Sequence, residues 1–218
     1  MIEHVYRRAR ASLNVDAVIV ATDDDRISHV VRQFGGDVRL TRSTHATGTD
    51  RLAEVARHLD CDLIVNVQGD EPLLEPSSID AAIAPFQDDA SLSMTSAYLR
   101  FADADEASDP NVVKVVTDRK GFALYFSRSR IPFPRGPQDA GAGPFKHIGL
   151  YVYRREFLLH LTSLEPTPLE RSESLEQLRV LEHGFSIKMI ETRHDSIGVD
   201  TPADLERVRR LLTAETRA

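Results

Sequence analysis

The chain has 218 residues, a formal charge of −7 and a sequence pI of about 5.6. That length suits one large domain or two small ones, and 41% hydrophobic residues support a sizeable core and exclude a disordered chain. The acidic balance argues against a nucleic-acid backbone as partner, which needs a basic face, while a few local arginines can still serve a small anionic substrate.

Cys61 is the only cysteine, which excludes an intrachain disulfide and a Cys-based zinc site. No apolar run is long enough for a membrane span. The opening stretch MIEHVYRRARASL lacks the apolar core of a signal peptide and reads as an amphipathic helix, with Ile2, Val5, Tyr6, Ala9 and Leu13 on one face. DAVIVAT (16–22) is a short continuous apolar run of the kind found in parallel strands covered on both faces. DDRISHVVRQFGG (24–36) reads as a helix with Ile27, Val30, Val31 and Phe34 apolar and a Gly-Gly stop. DVRLT (37–41) is a strand, GTDRLAEVARHL (48–59) a helix with Thr49 as its expected cap, and DLIVNV (62–67) the next strand. Helix and strand alternate here at about 20-residue spacing, the pattern of βαβ units and an open parallel sheet.

The middle of the chain is richer in strands. SLSMTSAYLR (91–100), NVVKVVTD (111–118), FALYFSR (122–128) and HIGLYVYR (147–154) predict a mixed sheet or a β-rich insertion. Residues 132–146 are rich in proline and glycine, the composition of a mobile loop. Helices are expected over 155–164 and 168–184, a strand over 186–192, and a last helix over 201–216 with Thr201 as N-cap, Pro202 at the first helical position and Asp204 at capping-box spacing. Neither an internal repeat nor an interdomain linker stands out, so the chain reads as one domain over 1–218.

VNVQGDEP (65–72) carries the first chemical signal. An apolar strand ends in Gln68, Gly69, and the adjacent carboxylates Asp70 and Glu71. Carboxylates at the C-terminal ends of parallel strands face the crevice where open α/β sheets bind ligands, and a hard cation such as Mg²⁺ takes one or two of them with room left for phosphate oxygens. A Gly-Asp-Glu-Pro surface turn is the plainer alternative. Asp200, just before the last helix, is the second candidate metal ligand; dipole stabilisation alone would also account for it. The basic and polar candidates are Arg51, Arg128, Arg130, Arg135, His147, Tyr151, Glu176 and Gln177, arginine being suited to forked recognition of carboxylate or phosphate. Singly, each also fits a solvated surface or core position.

Taken in order, THATGTDRLAEV, LIVNVQGDEPLL, NVVKVVTD, GFALYFSRSRIPF, HIGLYVYRREFL, PLERSESLEQLRVLEHG and GVDTPADLERVR resemble the 3-deoxy-manno-octulosonate cytidylyltransferases from Met1 to about Leu211. The resemblance implies a nucleotide-diphospho-sugar-transferase-like, Rossmann-like α/β fold: a mixed sheet flanked by helices, with a β-rich portion for dimerisation and sugar binding. It implies transfer of CMP from CTP to the acidic sugar Kdo, giving CMP-Kdo and pyrophosphate in the cytoplasm for lipopolysaccharide, by a homodimer that uses Mg²⁺. It carries Asp70 and Asp200 over as metal ligands and places Thr47, Gly48, Thr49 and Arg51 near the cytosine. Gln68, Arg128, Arg135, His147, Tyr151, Glu176 and Gln177 fall in the sugar pocket. Alternatives are a cytidylyltransferase for a related acidic or amino sugar, and an inert sugar-binding or dimerising remnant. Family members begin with an apolar strand and a phosphate-binding loop that no stretch of this sequence matches, Met1 aligning just after it. The expectation is therefore a sheet lacking its first central strand, with DAVIVAT and DLIVNV unpaired on either side of a slot, and poor solubility from the open strand edges.

Overall fold

The computed structural model describes residues 1–101, 105–135 and 144–215. The part of the proline- and glycine-rich stretch between 136 and 143 lies outside the described residues.

The chain opens with helix α1 (Ile2–Arg10), which buries Val5 and Ala9. Leu13 lies beyond its end and is 91% exposed, so the apolar face is shorter than its periodicity suggests. Strand β1 (Ile19–Thr22), helix α2 (Asp25–Gln33) and strand β2 (Asp37–Leu40) form a compact unit in which β1 and β2 pair in parallel, Ile19 opposite Asp37. Asp24 caps α2 by accepting from the Arg26 amide. Of the four apolar residues expected inward on α2, Val31 is fully buried, whereas Ile27 and Val30 are exposed. Gly35, at φ +79°, ends the helix in the left-handed conformation that glycine adopts without steric cost.

Helix α3 (Gly48–Ala56) leads to strand β3 (Leu63–Asn66). Two helices then follow that periodicity did not reveal, α4 (Pro76–Ile83) and α5 (Pro85–Asp88). Each begins with proline at its first position, where the missing N–H costs nothing. Strands β4 (Met94–Arg100), β5 (Lys114–Thr117), β6 (Ala123–Ser127) and β7 (Phe145–Arg154) come next. Helix α6 (Arg155–Leu161) follows. The region expected as one helix over 168–184 is two, α7 (Pro168–Glu173) and α8 (Gln177–Glu182), because Ser174 turns left-handed at φ 52°. Strand β8 (Lys188–Glu191) and helix α9 (Pro202–Glu215) complete the chain. Thr201 and Asp204 form the expected reciprocal cap: the Thr201 amide donates to Asp204 at 2.9 Å and the Asp204 amide to Thr201 Oγ1 at 3.2 Å.

The main sheet is mixed, in the order β6-β5-β7-β4-β8, with β3 on the free half of β7. The ten-residue β7 is its spine: Tyr151–Arg154 pair with β3, Phe145 and Lys146 with β5, and β4 runs along the other edge. Alternate residues of β7 feed two cores. Phe145, Tyr151 and Tyr153 join Ala53, Phe157, Leu158 and Leu178 on one face, while Ile148, Leu150 and Val152 join Ala9, Ile79 and Phe86 on the other. Helices therefore cover both faces, α3, α6 and α8 on the first and α1, α4 and α5 on the second.

Among the described residues β1 pairs only with β2, and β3 only with β7. Between them lies a cavity of about 620 Å³. Consecutive residues of both segments line it, 15–21 and 62–65, which is how a strand presents its edge rather than one face. Residues of α1 and α4 close one side and residues of α3 the other. The expected unpaired slot is thus present. It also explains why Ile19–Ala21 and Leu63–Val65 are only partly buried, where continuous apolar runs suggested strands covered on both faces.

Candidate active site

The two adjacent carboxylates of VNVQGDEP have different fates. Glu71 turns inward. It accepts from Ser196 Oγ at 2.7 Å, and burial pushes its carboxyl above the ordinary range. A Cβ on Gly149 of β7 would stand 3.1 Å from Glu71 Oε1, so glycine there gives the carboxyl its room. The Asp70 carboxylate has no hydrogen bond or ion pair among the described residues. The Val199 amide donates to the Asp70 carbonyl at 3.0 Å, which brings the segment of Asp200 beside the end of β3. Asp200 is exposed, and its carboxylate is likewise unpaired among the described residues. Two uncompensated carboxylates from distant segments, docked by a backbone bond, fit a hard cation that keeps room for phosphate oxygens.

The second half of the site forms around β3, β7, α3 and α8. Thr47, not Thr49, caps α3, accepting from the Asp50 amide at 3.1 Å, with Gly48 at the first helical position. Thr49 is thereby free to face inward, and its buried hydroxyl donates to Glu176 Oε2 at 2.6 Å. Burial raises the Glu176 carboxyl, and Oε1 is sealed from solvent without a hydrogen-bond partner. Gln177, 6% exposed, starts α8 beside it. Tyr153 reaches Asn66 and Thr49, and Gln68 Nε2 donates to Asn66 Oδ1 at 3.4 Å. Tyr151 stacks at a tilt between Tyr153 (6.0 Å) and His147 (5.5 Å). Desolvation raises the phenols of both tyrosines.

His147 packs edge-on to Phe126 at 4.9 Å, and its surroundings push its pKa down to about 3. It is therefore neutral at physiological pH. Its linkage to stability has a definite sign. Between the ordinary value near 6.5 and 3 the unfolded chain binds a proton that the folded chain refuses, so stability falls as pH drops through that window. A slope of up to about 1.4 kcal/mol per pH unit is expected from this group. Urea melts between pH 7 and 4 should show it, and His147→Gln should flatten the profile; an unchanged profile would remove the histidine from the account.

Arg128 departs from a free anion fork. Its Nε donates to the Glu173 carbonyl at 2.8 Å and Nη1 to the Pro110 carbonyl at 3.2 Å, leaving one end of the guanidinium. Lys114, fully buried in β5, was not singled out from sequence, where it interrupts an apolar run. Its ammonium donates to the carbonyls of Asp109 (2.8 Å), Val112 (2.6 Å) and Arg128, so it ties the segment before β5 to the end of β6. The Arg130 Nε is buried without a partner. Arg51 is pinned by Thr41 Oγ1 (2.6 Å) and Asp23 (3.2 Å), on the β1–β2 unit. Arg135 is exposed and no described contact joins it to the others. The structure thus brings the segment of Asp200 beside Asp70 through Val199, and Thr49, Tyr151, His147 and Glu176 together through a second set of contacts, with Gly149 against both Glu71 and Gln68.

The sequence profile described as Cytidylyltransferase matches residues 1–190. A 3-deoxy-manno-octulosonate cytidylyltransferase of Syntrophotalea carbinolica is 55% identical, with 95% of this chain and 86% of the relative covered. One of Pelobacter propionicus is 57% identical over 96% and 86%. A solved CMP:2-keto-3-deoxy-manno-octonic acid synthetase, complexed with CTP, superposes with a TM-score of 0.92 at 42% identity, covering 98% of this chain and 88% of that one. The 4-diphosphocytidyl-2C-methyl-D-erythritol synthase of Anaerococcus prevotii, 12% identical at TM-score 0.65, shares the fold alone. Matches along nearly the whole chain give no support to an inert remnant. The chain belongs to the cytidylyltransferase family, among the 3-deoxy-manno-octulosonate cytidylyltransferases.

Proposed function

We propose that the protein transfers CMP from CTP to Kdo, releasing pyrophosphate and supplying CMP-Kdo for lipopolysaccharide. The observation that carries this reading is the backbone bond that brings the segment of Asp200 beside Asp70, two aspartates unpaired among the described residues, together with the polar cluster of Thr49, Glu176 and Gln177. The anomeric hydroxyl of the sugar attacks the α-phosphorus as pyrophosphate leaves. Asp70 and Asp200 would hold Mg²⁺, which when bound neutralises phosphate charge and lowers the pKa of a coordinated hydroxyl. Glu176, whose carboxyl already accepts from Thr49, and Gln177 at the start of α8 would serve sugar hydroxyls. The remaining end of Arg128 suits the sugar carboxylate. Thr47, Gly48 and Arg51 belong to the nucleotide side, and Arg135 and Gln68 to the sugar side, by resemblance. A cytoplasmic homodimer fits the family; Leu124 on the edge strand β6 and Phe133 just after it, 61% and 81% exposed, give such a contact apolar surface.

Turnover with CTP and Kdo, set against related acidic and amino sugars, tests the reading; a preference for another sugar would replace the substrate and leave the reaction class. Arg128→Ala and Gln177→Ala are expected to raise the KM for Kdo roughly tenfold or more, and to change the KM for CTP much less, because a polar pocket discriminates through groups left unmatched. Weakened CTP use with unchanged Kdo kinetics would put these residues on the wrong ligand.

A further inference from the structure

The ladder between β4 and β7 carries a bulge. Ser96 lies opposite Tyr151, but the next residue, Ala97, lies opposite Ile148. Gly149 and Leu150 therefore have no register partner on β4, and neither falls in the β3 or β5 registers of β7. Such bulges free backbone groups and re-aim side chains. Here the carbonyl of Leu150, a residue outside the register, receives the Ser96 hydroxyl at 2.9 Å, and the Ile148 carbonyl lies 3.4 Å from the same oxygen. The third neighbour of Ser96 Oγ is His147 Nε2, at 2.9 Å.

A serine hydroxyl has one proton to give and lone pairs to receive with. Carbonyl oxygens can only accept, and a buried carbonyl left without a donor costs about 1–3 kcal/mol. The proton of Ser96 therefore points to the carbonyls, and its lone pair faces Nε2. The contact to His147 is satisfied only if Nε2 carries the ring proton. A neutral imidazole has one proton, so Nδ1 is then a bare acceptor. Among the described residues Nδ1 has no hydrogen-bond partner, and it is not one of the polar atoms sealed from solvent.

We propose that Ser96 is a positioning residue that locks His147 as its Nε2–H tautomer, so that Nδ1 recognises a hydrogen-bond donor, a sugar hydroxyl, and disfavours the anionic oxygens of carboxylate or phosphate. The first half rests on the bulge and its distances. The second rests on the placement of His147 in the sugar pocket given under the proposed function.

Long-range proton–nitrogen NMR on histidine-labelled protein reads the tautomer directly. The expected spectrum of the unaltered protein shows His147 protonated at Nε2. Ser96→Ala should mix the tautomers and raise the KM for Kdo about fivefold, the worth of one ordinary hydrogen bond, with kcat and the KM for CTP nearly unchanged. Ser96→Thr keeps the hydroxyl and should restore both signals. An Nδ1–H ring in the unaltered protein overturns the proposal without reference to any substrate. A tautomer that shifts as expected in Ser96→Ala while only CTP use suffers overturns the donor-hydroxyl half, and with it the placement of His147 beside the sugar.

Discussion

Asp70→Asn and Asp200→Asn are each expected to lower CMP-Kdo formation at least about a hundredfold while leaving the fold intact, since a Lewis-acid ion at phosphoryl oxygens contributes several kcal/mol. Neither carboxylate has a hydrogen-bond or ion-pair partner among the described residues, so neutralising it breaks no visible bond of the fold. The Asp70 carbonyl, which holds Val199, is untouched by the substitution. Circular dichroism and thermal melts should therefore match the unaltered protein, while turnover at saturating Mg²⁺ collapses. Near-normal synthesis by either variant would remove that residue from the metal site. Glu71→Gln should behave differently: its carboxyl faces inward to Ser196 and Gly149, so the loss should fall on stability before it falls on rate.

Replacing Lys114 by Ala is expected to destabilise the fold by about 3–5 kcal/mol, among the larger single effects in this chain. The fully buried Lys114 donor would be lost to the carbonyls of Val112 and Arg128, while that of Asp109 would keep the Val112 amide. Burial depresses the ammonium, yet the three acceptors around it keep a donor in demand. Lys114→Met fills the same volume and should be nearly as damaging, because packing is preserved and only the donors are lost. Denaturant melts decide the matter: if Lys114→Met unfolds at the midpoint of the unaltered protein, the carbonyl clasp contributes nothing.

The strands were legible because their physics is local. Apolar runs such as DLIVNV and HIGLYVYR mark β3 and β7 within one or two residues. The Thr201–Asp204 cap was legible for the same reason. Helices α4 and α5 were not, since proline reads as a breaker unless its place at a first turn is known. Thr49 looked like the cap of α3 because it directly precedes the helical pattern; its hydroxyl is instead taken by Glu176, 127 residues away. The break at Ser174 depends on a left-handed backbone that no periodicity announces. Within the site, Asp70 and Asp200 could be suspected from their strand-end and helix-start positions, but their docking through Val199 and Asp70 is a tertiary fact. Ser96 and Lys114 were invisible for a related reason. Each donates to carbonyls beside a bulge or in a loop, and sequence does not show which carbonyls the fold brings to a side chain.

Among the described residues no ladder joins the β1–α2–β2 unit to the main sheet. That unit is a two-stranded sheet with one four-residue ladder, and two strands alone are marginally stable. Its other attachments are helical, through α1 and α3. Native-state amide exchange should therefore show Val20, Ala21 and the β2 amides opening together at a lower free energy than β4 and β7, as a sub-global unit. Among the described residues the Arg51 side chain is tethered to this unit, by Asp23 after β1 and Thr41 after β2. A nucleotide seated against the Thr47–Arg51 segment would bind only the closed unit, so CTP at free concentration c should raise the opening free energy of β1 and β2 by RT ln(1 + c/Kd) while leaving β4 and β7 unchanged.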